Sequence, residues 1–177
     1  MRILAGEWAG VSLASPGGRV RPTSEALREA WMGWIREEIP EARVLDLFAG
    51  TGAMGLEALS RGAATVDFVE NGPEALHALK ANRAKLGVSR RTRLFKREVF
   101  AFLAEMGEQV YDLAFADPPY TSSAGERLAG LWLERPFAAT LSVEHDRATT
   151  LPKGGVRRVM EDSAVTFYRI RSTRKRG

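Results

Sequence analysis

Apolar and polar positions along the chain follow two alternating patterns from residue 43 onward. Short apolar runs of strand length are separated by segments in which apolar residues recur at helical spacing. The predicted strands are 43–49, 65–70, 91–96, 111–120 (ending in a loop) and 137–144, and the predicted helices are 53–60, 73–86, 98–105 and 124–133. Strands that alternate with helices predict a parallel sheet with helices on both faces.

The end of the chain departs from this alternation. "GVRRVME" and "AVTFYRIR" both have strand character, and only "DS" lies between them. Two strands joined by so short a connection form an antiparallel hairpin. We therefore expect an α/β fold whose mostly parallel sheet ends in an antiparallel C-terminal hairpin.

The segment 1–22 is predicted to form a short N-terminal extension, a candidate for contact with RNA. "RILA" and "GVSLA" are expected to be short strands, and "SPGGR" a turn. A helix then begins at Thr23 or Ser24, either of which suits the N-cap, and runs to about residue 38. Leu27, Trp31 and Trp34 share one face of it, which indicates core positions. The main domain is expected over 23–177, with a basic C-terminal tail.

Composition narrows the class of protein. The 177 residues suit one domain with a full hydrophobic core. The chain contains no cysteine, which excludes disulfides and thiolate metal sites. No apolar run approaches the length of about 18 residues that a membrane span needs, and the N-terminus lacks a signal-peptide pattern. We expect a cytoplasmic protein without contact with a membrane.

Basic residues are unevenly placed in this chain of net charge +4 and pI about 9.8. "SRRTRLFKR" and "RIRSTRKRG" each lack acidic residues. Basic clusters attract phosphate backbones through counterion release, although a solvated surface gives the same pattern. The candidate contacts with nucleic acid are Arg2, Arg19, Arg21, Arg28, Arg171, Arg174, Lys175 and Arg176.

A glycine loop follows the first predicted strand in "DLFAGTGAMG", where Gly50, Gly52 and Gly55 have the spacing G-x-G-x-x-G. This spacing fits a dinucleotide, but Asp46 would repel a pyrophosphate at this position and attract a cation instead. S-adenosylmethionine, which carries a sulfonium and an ammonium group, is such a cation. Glu70, at the end of the second strand, suits a ribose diol and does not distinguish the two cofactors.

The motif "DPPY" closes the fourth strand, at the sheet edge where ligands of open α/β folds bind. Asp117 and the carbonyl of Pro118 can accept hydrogen bonds from an exocyclic amine of a base, and Tyr120 offers a ring for stacking. Such contacts localise the lone pair of the amine, which can then attack a methyl group in line. The structural alternative is a simple turn, since Pro-Pro after Asp commonly ends a strand.

"DLFAGTGAMGLEALSRGA" followed by "DPPY", with "RILAGEWAG" and "RPTSEALREAWMGWI" before them, resembles the RsmD-like methyltransferases over nearly the whole chain. The resemblance implies a Rossmann-like class I fold and methyl transfer from S-adenosylmethionine to the N2 amine of a guanine in small-subunit ribosomal RNA. It implies that the cofactor is bound by Asp46, Phe48, Gly50, Gly52, Glu70, Asn71, Glu98, Val99 and Asp117.

By the same resemblance, Asp117, Pro118, Pro119 and Tyr120 hold the target guanine, and the motif Arg21–Pro22–Thr23 lies near the site, which adds Thr23 to the RNA-binding candidates. Glu98 stands where the family more usually has Asp or Asn, so the N–H of Val99 is the alternative contact with adenine. The implied partner is ribosomal RNA within an assembled or assembling small subunit. We expect a monomer. We also expect no metal site, since neither histidine has partners at ligand spacing.

Three other functions are compatible with parts of the pattern. An adenine-N6 DNA methyltransferase shares "DPPY", but the chain has no segment long enough for a separate target-recognition domain. A dinucleotide oxidoreductase is disfavoured by Asp46 and by "DPPY". A non-catalytic RNA-binding module would explain the basic clusters and leave the motifs unexplained.

Overall fold

The computed structural model describes residues 1–15, 24–120 and 122–170. Its strands are β1 (Arg43–Leu47), β2 (Thr65–Glu70), β3 (Thr92–Lys96), β4 (Tyr111–Ala116), β5 (Ala138–Asp146), β6 (Val156–Met160) and β7 (Ser163–Arg169). Its helices are α1 (Glu25–Trp34), α2 (Ala53–Ser60), α3 (Pro73–Lys85), α4 (Val99–Ala104) and α5 (Ala124–Glu134), and a short 3-10 helix covers Ser89–Arg91.

All seven strands form one sheet in the order β3-β2-β1-β4-β5-β7-β6. The pairs from β3 to β5 are parallel, and β7 runs antiparallel to both β5 and β6. The predicted parallel sheet with an antiparallel C-terminal hairpin is therefore confirmed. The strand order reverses between β1 and β4, so the loops that follow these two strands open a crevice at the switch point.

Both faces of the sheet are buried, which explains the continuous apolar character of the central strands. Val44 packs in a cluster with Trp31 and Phe115 on one face, whereas the next residue, Leu45, packs with Trp132 on the other. Side chains alternate between the two faces of a strand, so β1 contributes to both cores.

Helix α1 confirms the first predicted helix but ends at Trp34, four residues before the expected limit. Ser24 is the N-cap, and its hydroxyl accepts a hydrogen bond from the N–H of Leu27 at 3.0 Å. Trp31 is fully buried, and its indole N–H donates to the Ser142 hydroxyl at 3.0 Å. The core assignment of this face is therefore correct.

The two predicted N-terminal strands pair only briefly, through an antiparallel bridge between Arg2 and Ser12 and backbone hydrogen bonds from Ile3 to Val11 and from Leu13 to Met1, both at 2.9 Å. The segment instead binds α2 through hydrogen bonds with its side chains and carbonyls. Gly6 has a φ of +84°, and a Cβ on it would lie 1.8 Å from the carbonyl oxygen of Ser60. The backbone approaches α2 so closely here that only glycine fits. The backbone N–H of Trp8 donates to the Ser60 hydroxyl at 3.0 Å.

The C-terminal hairpin turns one residue earlier than "DS" suggests. Met160 pairs with Ser163, so Glu161 and Asp162 form the two-residue turn. Glu161 has a φ of +52°, a value that tight hairpin turns require at a central position.

Candidate functional site

The crevice at the switch point brings together the acidic residues that the sequence places at strand ends. Leu47 of β1 lies beside Ala116 of β4, so the glycine loop and "DPPY" begin at neighbouring positions. Glu70 lies at the end of β2 and Glu98 at the start of α4. The acidic residues that follow separate strands thus lie at one edge of the sheet.

Asp46 is 3% exposed and lies beneath the glycine loop. Its Oδ2 accepts a hydrogen bond from the N–H of Gly55 at 2.9 Å, which ties β1 to the first turn of α2. Burial raises the pKa of Asp46 well above its usual value, against the effect of the Gly55 hydrogen bond, and the charges of Asp117 and Glu70 raise it further. A cation in this crevice would stabilise the ionised carboxylate.

The three glycines of the loop differ in their surroundings. A Cβ on Gly52 would lie 2.3 Å from Cδ1 of Leu79, and one on Gly55 would lie 2.5 Å from the Phe68 ring. Both positions therefore serve close packing of α2 on the sheet. A Cβ on Gly50 would meet nothing nearer than a carbonyl oxygen at 4.0 Å, so this glycine borders open space. Gly50 also has a φ of +56°, which favours glycine.

Glu70 has a structural role that the sequence does not reveal. Its Oε2 accepts from the N–H of Gly50 at 2.7 Å, and its Oε1 accepts from the N–H groups of Asn71 at 2.8 Å and Gly72 at 2.7 Å. A carboxylate offers about four lone-pair directions, and three are used here. Glu70 can accept both hydroxyls of a ribose only if it releases a backbone N–H.

Glu98 is exposed, and its side chain caps α4 by accepting from the N–H of Ala101 at 2.8 Å. Val99, the first residue of this helix, is buried. Phe48 is half-buried, has a φ of +55° and meets the Phe100 ring edge-on, with 6.4 Å between the ring centroids. The far end of the crevice thus has an aromatic wall and a helix N-terminus.

In the "DPPY" loop, Pro118 is buried while Pro119 and Tyr120 are exposed. Tyr120 is 43% exposed, but its hydroxyl points inward. It donates to Oε1 of Glu144 and lies 2.8 Å from the Ser163 hydroxyl. Burial and the Glu144 hydrogen bond raise the pKa of Tyr120, so the phenol keeps its proton at neutral pH. The Tyr120 ring therefore has an exposed face, while its hydroxyl group is held by hydrogen bonds.

A cavity of about 140 Å³ lies beside this loop. Its lining residues come from the loop, from the start of α5, from the end of β5 and from the segment that follows, and include Pro118, Tyr120, Gly125, Glu144, Thr149 and Leu151. Glu144 is absent from the site residues that the sequence motifs predict. A signal for it exists, since Glu144 ends the fifth predicted strand in the same way that Glu70 ends the second.

The basic residues expected to contact RNA divide into three groups. Arg2 is exposed and pairs with Glu25 at 3.3 Å. Arg28 is fully buried, with Nε 3.8 Å from a Glu57 carboxylate oxygen, so its guanidinium cannot reach a phosphate and the prediction for Arg28 is wrong. The other candidates lie outside the described residues: Arg19, Arg21, Thr23, Arg171, Arg174, Lys175 and Arg176.

Two kinds of feature are absent from the part of the chain that the structure describes. Within 1–15, 24–120 and 122–170, no group of three or more His, Asp or Glu side chains is placed to hold a metal ion. None of the helices in these ranges is long and apolar enough to cross a membrane.

Comparison with known proteins identifies the family. The model of the family described as conserved hypothetical protein 95 matches residues 1–166. Ribosomal RNA small subunit methyltransferase D of Escherichia coli strain K12 is 38% identical over 123 residues, which cover 68% of this chain and 60% of that protein. The protein of the same name from Haemophilus influenzae is 29% identical over 96% of this chain and 92% of its own length.

A solved structure gives the same result for the fold. The structure of a hypothetical protein from Thermus thermophilus superimposes with a TM-score of 0.85 at 35% identity, covering 96% of this chain and 99% of that one. The match to the Escherichia coli protein spans less than two thirds of its length, whereas the family model and this structure extend over nearly the whole chain. The chain therefore belongs to the RsmD-like methyltransferase family and has its Rossmann-like class I fold, as its motifs indicate.

Proposed function

We propose that this protein transfers a methyl group from S-adenosylmethionine to the exocyclic N2 amine of a guanine in small-subunit ribosomal RNA. The observation that carries this proposal is the adjacency of two loops across the switch point. The loop that follows β1 supplies an acidic crevice, and the loop that follows β4 supplies Asp117 and a stacking ring at its edge. Donor and acceptor sites for a group transfer thereby share one crevice.

The residues of the crevice suit a cationic cofactor. The buried carboxylate of Asp46 lies within electrostatic reach of Glu70 and Asp117, and this negative potential favours a cation over a pyrophosphate. The open space beside Gly50 admits a ligand close to the backbone. When bound, S-adenosylmethionine supplies an electrophilic methyl group. The residues proposed to hold it are Asp46, Phe48, Gly50, Gly52, Glu70, Asn71, Glu98, Val99 and Asp117.

The "DPPY" loop is proposed to receive the target base. Asp117 and the Pro118 carbonyl accept the two N–H groups of the amine, which directs its lone pair toward the methyl group, and the Tyr120 ring stacks on the base. Methylation makes the amine acidic, so its proton passes to Asp117 or to water. Pro118 and Pro119 hold the loop rigid while this happens.

The rival target is the N6 amine of adenine in DNA, because "DPPY" suits either amine. The relatives named as small-subunit ribosomal RNA methyltransferases favour RNA. Ribosomal RNA in an assembled or assembling subunit, a monomeric state and a cytoplasmic location belong to this proposal. So does the division into a 1–22 extension and a 23–177 methyltransferase domain.

The test is methylation with labelled S-adenosylmethionine. Small subunits, naked ribosomal RNA and DNA are each incubated with the protein and digested to nucleosides. We expect label in N2-methylguanosine and none after the change Asp117→Ala; the change Asp112→Ala, at an exposed ion pair with Arg43, is the control. Label in N6-methyladenine alone would overturn the proposal.

A second measurement concerns the basic tail. Removing residues 171–176 takes away four basic side chains. Affinity for RNA should fall, and the slope of log affinity against log salt should become shallower by about 0.7 for each phosphate that the shortened protein no longer neutralises. An unchanged slope would show that the tail does not bind RNA.

A further inference from the structure

We propose that Glu144 is a positioning residue for this methyl transfer: its carboxyl group lies between Asp117 and Tyr120 and fixes the two ends of the loop that receives the target base. The inference rests on the proposed function, because the loop is assigned through it. Glu144 lies outside the sequence motifs, and its position at the end of the fifth predicted strand is the signal for it in the sequence.

The sheet places Glu144 level with the loop. Ala116, the last residue of β4, pairs with Val143 of β5, so Glu144 follows at the height of Asp117. Glu144 is 3% exposed. Its Oε1 accepts the hydrogen bond of the Tyr120 hydroxyl, which also lies 2.8 Å from the Ser163 hydroxyl on β7. Three parts of the fold therefore converge on this carboxyl group.

The second oxygen of Glu144 is the one that we infer acts on Asp117. Oε2 is buried and has no hydrogen-bond partner within the described ranges, and Asp117 lies near enough for its charge to act on the Glu144 carboxyl group. Two carboxyl groups can share a hydrogen bond only if one of them carries a proton. A proton on one of them would turn the pair into an acid that can donate to its neighbour.

The proton resides on Glu144. Burial, followed by the negative charge of Asp117, raises the pKa of Glu144 to about 8. The other titratable groups that line the cavity are Tyr120, Glu126 of α5, and His145 and Asp146 of β5. At neutral pH Glu144 therefore keeps its proton and can donate a hydrogen bond to Asp117.

The effect of Glu144 on the loop depends on whether its carboxyl group carries a proton. A neutral Glu144 would orient Asp117 toward the substrate by one donated bond. An ionised Glu144 would place two like charges together in a buried site and push Asp117 away. The rate of methyl transfer should therefore depend on the protonated form of Glu144.

The decisive variants are Glu144→Gln and Glu144→Ala. Glutamine can donate to Asp117 through its amide N–H and accept from Tyr120 through its oxygen, but it does not titrate. We expect kcat of the wild type to fall as pH rises through about 8, and Glu144→Gln to keep kcat within about threefold while losing this fall. Glu144→Ala should lower kcat at least about tenfold, with a smaller change in KM for S-adenosylmethionine, because one hydrogen bond to a charged group is lost. Glu134→Gln, an exposed position at the end of α5, is the matched control.

An infrared difference spectrum of wild type against Glu144→Gln, taken without RNA, gives an independent reading. We expect a carboxylic-acid C=O band at neutral pH that disappears as pH passes about 8. Absence of this band at neutral pH would overturn the inference, as would a Glu144→Gln variant as inactive as Glu144→Ala, which would assign a working ionised carboxylate. Wild-type kcat in Glu144→Ala would also overturn it. Failure of the proposed function is a separate outcome, in which the wild type itself transfers no methyl group to RNA.

Discussion

Glu57 of α2 and Arg28 of α1 form an ion pair in which both side chains are fully buried, with 3.8 Å between Oε2 and Nε. The same carboxylate accepts from the N–H groups of Leu4 at 2.8 Å and Ala5 at 3.0 Å, and from Arg61 Nε at 2.8 Å. Burial lowers the pKa of Arg28, and the charge of Glu57 opposes this. One acidic side chain thereby joins the N-terminal segment, α1 and α2.

The first prediction concerns this ion pair. Glu57→Ala leaves the Arg28 guanidinium buried without its counter-charge, and it leaves two backbone N–H groups without acceptors. We expect the free energy of unfolding to fall by about 3–5 kcal/mol, the usual cost of breaking a buried pair. Urea denaturation measures it. Glu29→Ala, which removes the 56% exposed partner of Arg61, should cost no more than about 1 kcal/mol, and equal losses in the two variants would contradict the assignment.

Arg28 also shows where sequence reasoning fails. A basic residue that follows Arg19 and Arg21 fits a nucleic-acid surface by composition, and its position next to Leu27 on a helix does not decide whether it is buried. The deciding partner, Glu57, lies on another helix, so the contact is a property of tertiary packing. By contrast, the strands and their alternation with helices follow from local apolar periodicity, which explains why the sheet could be predicted.

The second prediction concerns Asp46. Burial raises the pKa of Asp46 in the free protein, whereas a cationic ligand favours the ionised form and lowers that pKa. Binding of S-adenosylmethionine should therefore release up to about one proton. Calorimetry in buffers of different ionisation enthalpy measures this release. The release should shrink with S-adenosylhomocysteine, which lacks the sulfonium charge, and vanish with Asp46→Asn; the same heat in every buffer would refute it.

The third prediction concerns Glu70, which closes the glycine loop on β2. Glu70→Ala removes the acceptor of three backbone N–H groups as well as the proposed ribose contact. We expect affinity for S-adenosylmethionine to fall by about 1–3 kcal/mol in calorimetry. Glu74→Ala, an exposed acidic residue in the first turn of α3, is the control and should bind normally. Unchanged affinity in Glu70→Ala would remove Glu70 from the cofactor site.

Glu70 and Glu144 show which features of the site the sequence predicts and which it does not. The position of Glu70 past the glycines correctly placed it at the crevice, because the carboxyl ends of parallel strands share one edge of the sheet. Its three bonds to backbone N–H groups depend on loop geometry that no spacing encodes. Glu144 belongs to β5, whose contact with "DPPY" follows from the strand order rather than from the order of the chain.

The fourth prediction separates the two ends of Tyr120. Tyr120→Ala removes the stacking ring and should weaken binding of the RNA by about 1–3 kcal/mol, the range for one stacked base. Tyr120→Phe keeps the ring but removes the hydroxyl bond to Glu144, so it should bind RNA normally and turn over more slowly. Filter binding and single-turnover rates measure the two effects. Equal loss of RNA affinity in both variants would show that the ring does not stack on the base.

The last prediction concerns stability against pH. The folded state holds a proton on Glu144 up to a pKa of about 8, whereas the ordinary value is 4.5. Between these values the folded state binds more protons than the unfolded chain, so the contribution of Glu144 is fully present below pH 4.5 and is lost as pH rises toward 8. Wild type should lose at most about 1.4 kcal/mol per pH unit more than Glu144→Gln over this interval. Urea denaturation at a series of pH values measures the difference, and parallel curves for the two proteins would show that Glu144 is ionised in the folded state.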